Sequence, residues 1–159
     1  MIKPELKVKL GNVELVQGVD YKVQYKNNVK IGFATARAIG TGDYKGKTKK
    51  VTFKILPKPE KDKKVGLKVV SGNLVVSWKR NGMNYDGFEI QIGRDEYFKR
   101  SEIRRFENND KQNIDFTFTN LEPGRMYFFR VRAYKKVKVD NKMKTLRSEW
   151  SGTVKKRLR

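Results

Sequence analysis

Apolar residues alternate with polar ones along most of this chain, and no stretch of ten or more residues carries a helical stripe. Leu6, Val8 and Leu10 alternate with charged neighbours, as do Tyr21, Val23 and Tyr25, and then Val51, Phe53 and Ile55. A period of two places such positions on one face of a strand. Ala34, Ala36 and Ala38 alternate in the same way. Alanine is a poor strand former, so a row of it predicts a close approach of two sheets. Further along, Leu74, Val76 and Trp78 share a face, then Phe88, Ile90 and Ile92, then Ile114, Phe116 and Phe118, then Tyr127, Phe129, Val131 and Ala133. Trp150 and Val154 are assigned to a last strand. Turn-forming Gly11-Asn12, Asn27-Asn28, Asn108-Asn109-Asp110, Glu122-Pro123-Gly124 and Asp140-Asn141 separate the runs. Short strands at this spacing predict an all-β chain of two tandem antiparallel β-sandwich modules.

The boundary between them is read from Leu56-Pro57-Lys58-Pro59-Glu60-Lys61-Asp62-Lys63-Lys64. Two prolines two apart favour extended backbone, and the charged run after them has nothing to bury. This divides the chain into a module over 1–57, a linker over 58–64 and a module over 65–159.

Composition narrows the chemistry. Cysteine and histidine are both absent, which removes disulfides, thiolate nucleophiles, Cys/His zinc sites and histidine-based triads. No run of about 18 apolar residues occurs, so no membrane-spanning helix is expected. The start, Met1-Ile2-Lys3-Pro4-Glu5, has no apolar signal core. The net charge is +21. Residues 1–57 carry 12 basic and 4 acidic side chains and residues 65–159 carry 22 and 11, so the excess runs along the whole chain. A nucleic-acid binder more often concentrates it on one face or tail.

Certain residues carry resemblances. Trp78, Asp86-Gly87-Phe88-Glu89-Ile90-Gln91-Ile92, Leu121-Glu122-Pro123-Gly124-Arg125-Met126-Tyr127, Phe129-Arg130-Val131-Arg132-Ala133-Tyr134 and Ser148-Glu149-Trp150-Ser151 occur in an order that resembles a fibronectin type III domain over residues 65–155. Trp78 is expected to anchor its core, with Trp150 a second structural residue. Leu121 and Tyr127 sit where a tyrosine corner would tie a loop to the next strand. The earlier residues Gly18-Val19-Asp20-Tyr21, Tyr25-Lys26-Asn27-Asn28, Gly32-Phe33-Ala34, Gly40-Thr41-Gly42-Asp43-Tyr44-Lys45-Gly46 and Val51-Thr52-Phe53-Lys54-Ile55 resemble a bacterial immunoglobulin-like surface repeat over residues 4–57. That family has a further strand before the position of Lys3-Pro4, so the resemblance implies an N-terminally truncated module. It also implies a large exported protein of Gram-positive bacteria, at the cell surface or secreted, with its export signal outside this sequence.

The functional expectation is a non-catalytic spacer and interaction module, with no cofactor and no metal. Its partners would be other modules of the same parent chain, a protein, or anionic cell-wall or host polymers, with nucleic acid less favoured and no insertion into a membrane. Glu89 projects outward between Phe88 and Ile90, with Arg130 and Arg132 as expected cross-strand partners in exposed ion pairs. Asp43 and the Asn108–Asp110 cluster with Asp115 have no calcium-loop spacing and read as turn residues. The alternative function is a polyanion- or glycan-binding module. It would use a basic last hairpin turning at Asp140-Asn141: Arg130, Arg132, Tyr134, Lys135, Lys136, Lys138, Lys142, Lys144 and Arg147, joined outward by Phe128. Lysines on such a ribbon also guard against edge-to-edge association. For glycan binding, Tyr85, Tyr97, Phe98 and Phe128 are the aromatics that would have to lie exposed.

Overall fold

In a computed structural model, which describes residues 1–58, 65–80, 84–107 and 113–159, the alternating runs form antiparallel strands. Most of the expected linker, at 59–64, and the expected turn at Asn108-Asn109-Asp110 lie outside the described residues. The chain divides into two units, Met1–Ile55 and Leu56–Arg159.

The first unit opens with an extended segment, then the strands β1 (Val8–Leu10) and β2 (Val13–Leu15), a hairpin turning at Gly11-Asn12 with Gly11 at φ 61°. A second sheet follows in the order β3 (Tyr21–Lys26), β4 (Gly32–Gly40), β5 (Thr48–Ile55). The alanine row forms its inner face: Ala34 lies opposite Phe53, and Ala36 between Tyr25 and Val51. Ala34 and Ala36 are fully buried, and the space their small side chains leave is taken by Tyr25 and Phe53, packed edge to face at 6.5 Å. The opening segment runs alongside β3 on this face, held at every second carbonyl. The Tyr21 hydroxyl donates to Leu6 O at 2.7 Å, the Tyr25 hydroxyl to Pro4 O at 2.6 Å, and Asn28 Nδ2 to Ile2 O at 2.8 Å. Gly40-Thr41-Gly42 leads into a single 3₁₀ turn, Gly42–Tyr44. A Cβ on Gly40 would lie 2.0 Å from the Tyr44 carbonyl oxygen, so only glycine admits that return.

The second unit is a sandwich. One sheet has the order β10 (Asn113–Phe118), β7 (Asn73–Lys79), β6 (Gly66–Val70). The other has the order β12 (Lys142–Arg147), β11 (Met126–Val139), β8 (Gly87–Gly93), β9 (Ser101–Glu107), and β13 (Val154–Arg157) also pairs with β11. Asp140 and Asn141, at φ 48° and 60°, make the two-residue turn between β11 and β12. Two consecutive residues with positive φ suit the right-handed twist of the flanking strands. Leu74, Val76, Phe88, Ile90, Phe129, Val131 and Ala133 are fully buried between the sheets.

Trp78 is 3% exposed and packs edge to face on Phe88 at 5.2 Å and on Phe106 at 5.7 Å. Phe106 in turn touches Phe116, and the ring contacts continue through Phe118 to Phe129. At the other end, the buried Tyr127 hydroxyl accepts from the Glu122 amide at 2.8 Å. Tyr127→Phe removes that acceptor and is expected to lower stability by about 1–2 kcal/mol, measured by urea unfolding. An unchanged midpoint would show that water replaces the phenol.

Trp150 is not in a strand. β12 ends at Arg147 and β13 starts at Val154. Between them Ser148 and Ser151 keep the chain against β11: their amides donate to Ala133 O and Val131 O, and their hydroxyls accept from the amides of Ala133 at 3.1 Å and Val131 at 2.9 Å. The intervening Glu149-Trp150 therefore bulges away from the ladder, and the Trp150 ring is placed on the outer face of the sheet.

Candidate functional site

The outer face of the β12–β11–β8–β9 sheet gathers most of the singled-out residues. Register sets them in cross-strand rows: Gln91 opposite Arg130; Arg105, Glu89 and Arg132; and Glu107, Gly87, Tyr134 and Arg147. Arg130 lies with its guanidinium over the Phe98 ring at 4.2 Å and over Trp150 at 4.8 Å, while Arg132 stacks on the same indole at 4.0 Å. Arg105 lies over Tyr134 at 5.2 Å. Guanidinium planes are suited to such stacking, and each contact of this kind is worth about 0.5–2 kcal/mol depending on desolvation.

Glu89 is the hub. Arg132 Nε donates to it at 2.7 Å, Arg105 Nε at 3.0 Å, and Arg147 Nε at 3.1 and 3.2 Å to its two oxygens. The exposed ion pair expected here is therefore wrong in one respect: Glu89 is 1% exposed, roofed by three guanidinium groups. Arg130 does not reach it and donates instead to Gln91 Oε1 at 2.7 Å. Burial alone would raise the Glu89 carboxyl, but hydrogen bonds from Arg105, Arg147 and Arg132 more than offset it and lower its pKa to about 2.

The expectation of an outward Tyr134 ring for stacking on a ligand also fails. Tyr134 is fully buried because it stands opposite Gly87, whose missing side chain leaves room for the phenol. A Cβ there would come within 2.8 Å of the Tyr134 hydroxyl and 2.2 Å of Phe106 O. Further along the ribbon, Lys135 Nζ donates to Asp86 at 2.7 Å, and Asp86 accepts the Lys136 amide at 2.7 Å. Burial works against the Asp86 charge, and these bonds override it to lower the pKa. Lys136 also pairs with Glu107 at 3.4 Å. Lys138, Lys142 and Lys144 are exposed at the tip.

The structure thus brings Arg130, Arg132, Tyr134 and Arg147 together, but as a mutually engaged stack, with Lys138 and Lys142 exposed at the tip. It adds Arg105 and Phe98, which sequence reasoning did not place in this group. Of the four aromatics considered for glycans, Tyr85 and Phe98 are buried. Tyr97, 74% exposed, and Phe128 line a shallow depression with Glu96, Thr153 and Lys155.

A family model described as the fibronectin type III domain matches residues 57–145. A solved structure titled "Cytokine receptor complex" aligns with a TM-score of 0.54 and 19% identity, covering 82% of this chain and 68% of that one. A crystal structure of domains from titin aligns at a TM-score of 0.40 and 16% identity, covering 92% of this chain and 52% of that one. No curated protein matches. The family match takes in the strands from β6 to β11 and most of β12, the elements that build the sandwich and its engaged outer face. It spans more than half of the 159 residues, and this chain belongs to the fibronectin type III domain family.

Proposed function

We propose that the chain is a non-catalytic spacer and interaction segment of an exported or cell-surface bacterial protein, with an immunoglobulin-like repeat of residues 1–57 ahead of the fibronectin type III module. Fibronectin type III domains are generic interaction and spacer modules. One observation carries the non-catalytic reading: among the described residues, the carboxylates that depart from their ordinary range, Asp86, Glu89 and Glu122, are all lowered by basic partners. A general acid or base working near neutrality needs the opposite change. These groups hold strands and loops together rather than exchange protons. The partners are other modules of the parent chain or a second protein.

The alternative, an anionic polymer or glycan held by the last hairpin, is the weaker reading. Arg130, Arg132, Arg147, Lys135 and Lys136 are already engaged within the sheet.

Antibodies against residues 65–159, applied to intact and to permeabilised cells of the source organism, test the placement. Labelling of intact cells is expected. Labelling that appears only after permeabilisation overturns the surface reading.

A further inference from the structure

Charge of one sign covers the outer face of the β3–β4–β5 sheet. Side chains there point away from the alanine row, and the register arranges them as Lys22–Ile39–Thr48, Gln24–Arg37–Lys50, Lys26–Thr35–Thr52 and Phe33–Lys54. Every row holds at least one cation, and successive rows lie about 7 Å apart, two residues along the strand. No Asp or Glu occurs in any of the three strands. Lys22, Lys26, Arg37, Lys50 and Lys54 are exposed, and none belongs to an ion pair among the described residues. Arg37 stands directly opposite Lys50, a relation in which like charges lower stability, and no carboxylate on the sheet offsets it. This is the reverse of the second unit, where the cations surround Glu89.

We propose that this face binds an extended phosphodiester-linked polymer lying along the strands, its phosphates over successive rows. Four of the five cations are lysines, and an ammonium meets phosphate as a point charge from many directions, which suits a flexible chain. Gln24, Thr35, Thr48 and Thr52 supply hydrogen bonds between the charges. The one ring among the described residues of this face, Phe33, is half-buried and offers no open platform for stacking bases. The chemistry therefore favours a polyol phosphate over a nucleic acid with the same linkage. The site is separate from the hairpin and does not depend on the spacer reading.

The test titrates the full chain with labelled poly(glycerol phosphate), an oligothymidylate of similar charge, and heparin, across a range of salt concentrations. Poly(glycerol phosphate) is expected to bind with log K falling against log salt at a slope of about −3, from four or five neutralised phosphates. The triple variant Lys22→Gln, Arg37→Gln, Lys50→Gln should lose about tenfold or more in affinity. Its melting temperature should hold or rise as like charges are removed, which separates lost binding from lost fold. The Lys138→Gln, Lys142→Gln variant should bind as the parent does. No binding at physiological salt overturns the proposal, as does an equal loss in the hairpin variant. Tighter binding of oligothymidylate or heparin than of poly(glycerol phosphate) does the same. The cell-labelling experiment reads the surface placement independently of all these outcomes.

Discussion

Glu89→Gln is expected to destabilise the second unit by about 3 kcal/mol at neutral pH, and to cost almost nothing near pH 2. The substitution leaves Arg105, Arg132 and Arg147 converging on a neutral amide, and breaking a buried pair from one side exposes the full repulsion and desolvation of what remains. The pH dependence follows from the same charge. Glu89 has its pKa lowered from an ordinary 4.5 to about 2 in the folded chain. Its contribution is therefore complete above about 4.5 and is lost as pH falls through about 2. Each tenfold change in proton affinity corresponds to about 1.4 kcal/mol, so the total is about 3 kcal/mol, an upper figure because Arg105 and Arg147 remain partly in solvent. Both tryptophans, Trp78 and Trp150, belong to the second unit, so urea unfolding followed by tryptophan fluorescence reads that unit alone. Parent and variant should differ at pH 7 and converge toward pH 2. A difference that is the same at every pH would assign the loss to packing, not charge.

Trp78→Ala is expected to cost about 4 kcal/mol, enough to leave the second unit largely unfolded at elevated temperature. The indole lies at the junction of Phe88 and Phe106 and opposite Ile114 in the neighbouring strand, so removing it empties the centre of the aromatic chain. The neighbours belong to both sheets and cannot collapse inward without shifting them. Trp78→Phe should cost only about 1–2 kcal/mol, since it keeps a ring edge against the same partners. The Nε1 donor has no hydrogen-bond partner among the described residues, so its loss leaves no acceptor stranded there. Near-ultraviolet circular dichroism during thermal melting separates the two variants. Equal losses would mean that the indole nitrogen matters more than its volume.

Alternation made the inward residues legible: Leu74, Val76, Trp78, Phe88 and Ile90 are buried as their period predicts. The turn at Asp140-Asn141 was legible from turn chemistry. Period two, however, says only that a side chain leaves the core, not whether something then covers it. Glu89 and Tyr134 point outward from their strands and are still buried, because guanidinium groups from neighbouring strands and the space at Gly87 enclose them. Those partners come from residues up to 58 positions away in sequence, as with Arg147 and Glu89. Trp150 carried a false signal: grouped with the apolar Val154 it read as strand, whereas Ser148 and Ser151 take the ladder positions and push it out. β9 gave almost no pattern, since Glu102, Arg104, Arg105 and Glu107 dominate an edge strand with solvent along one side. The cationic face of the first unit was present in the sequence as Lys22, Lys26, Arg37, Lys50 and Lys54. It became a surface only once register aligned residues from three strands.

The opening segment of the chain has a mechanical consequence. Ile2, Pro4 and Leu6 are each held through one carbonyl, by Asn28, Tyr25 and Tyr21 in that order, with one further bond from the Ile2 amide to Asn28 O. A pull on the chain ahead of Ile2, directed away from the sheet face, meets these attachments one after another, so the segment peels like tape instead of resisting as a block. The β3–β4–β5 ladder keeps its own hydrogen bonds while this happens. Under such a pull this segment lengthens in short steps, the last when Leu6 lets go of Tyr21.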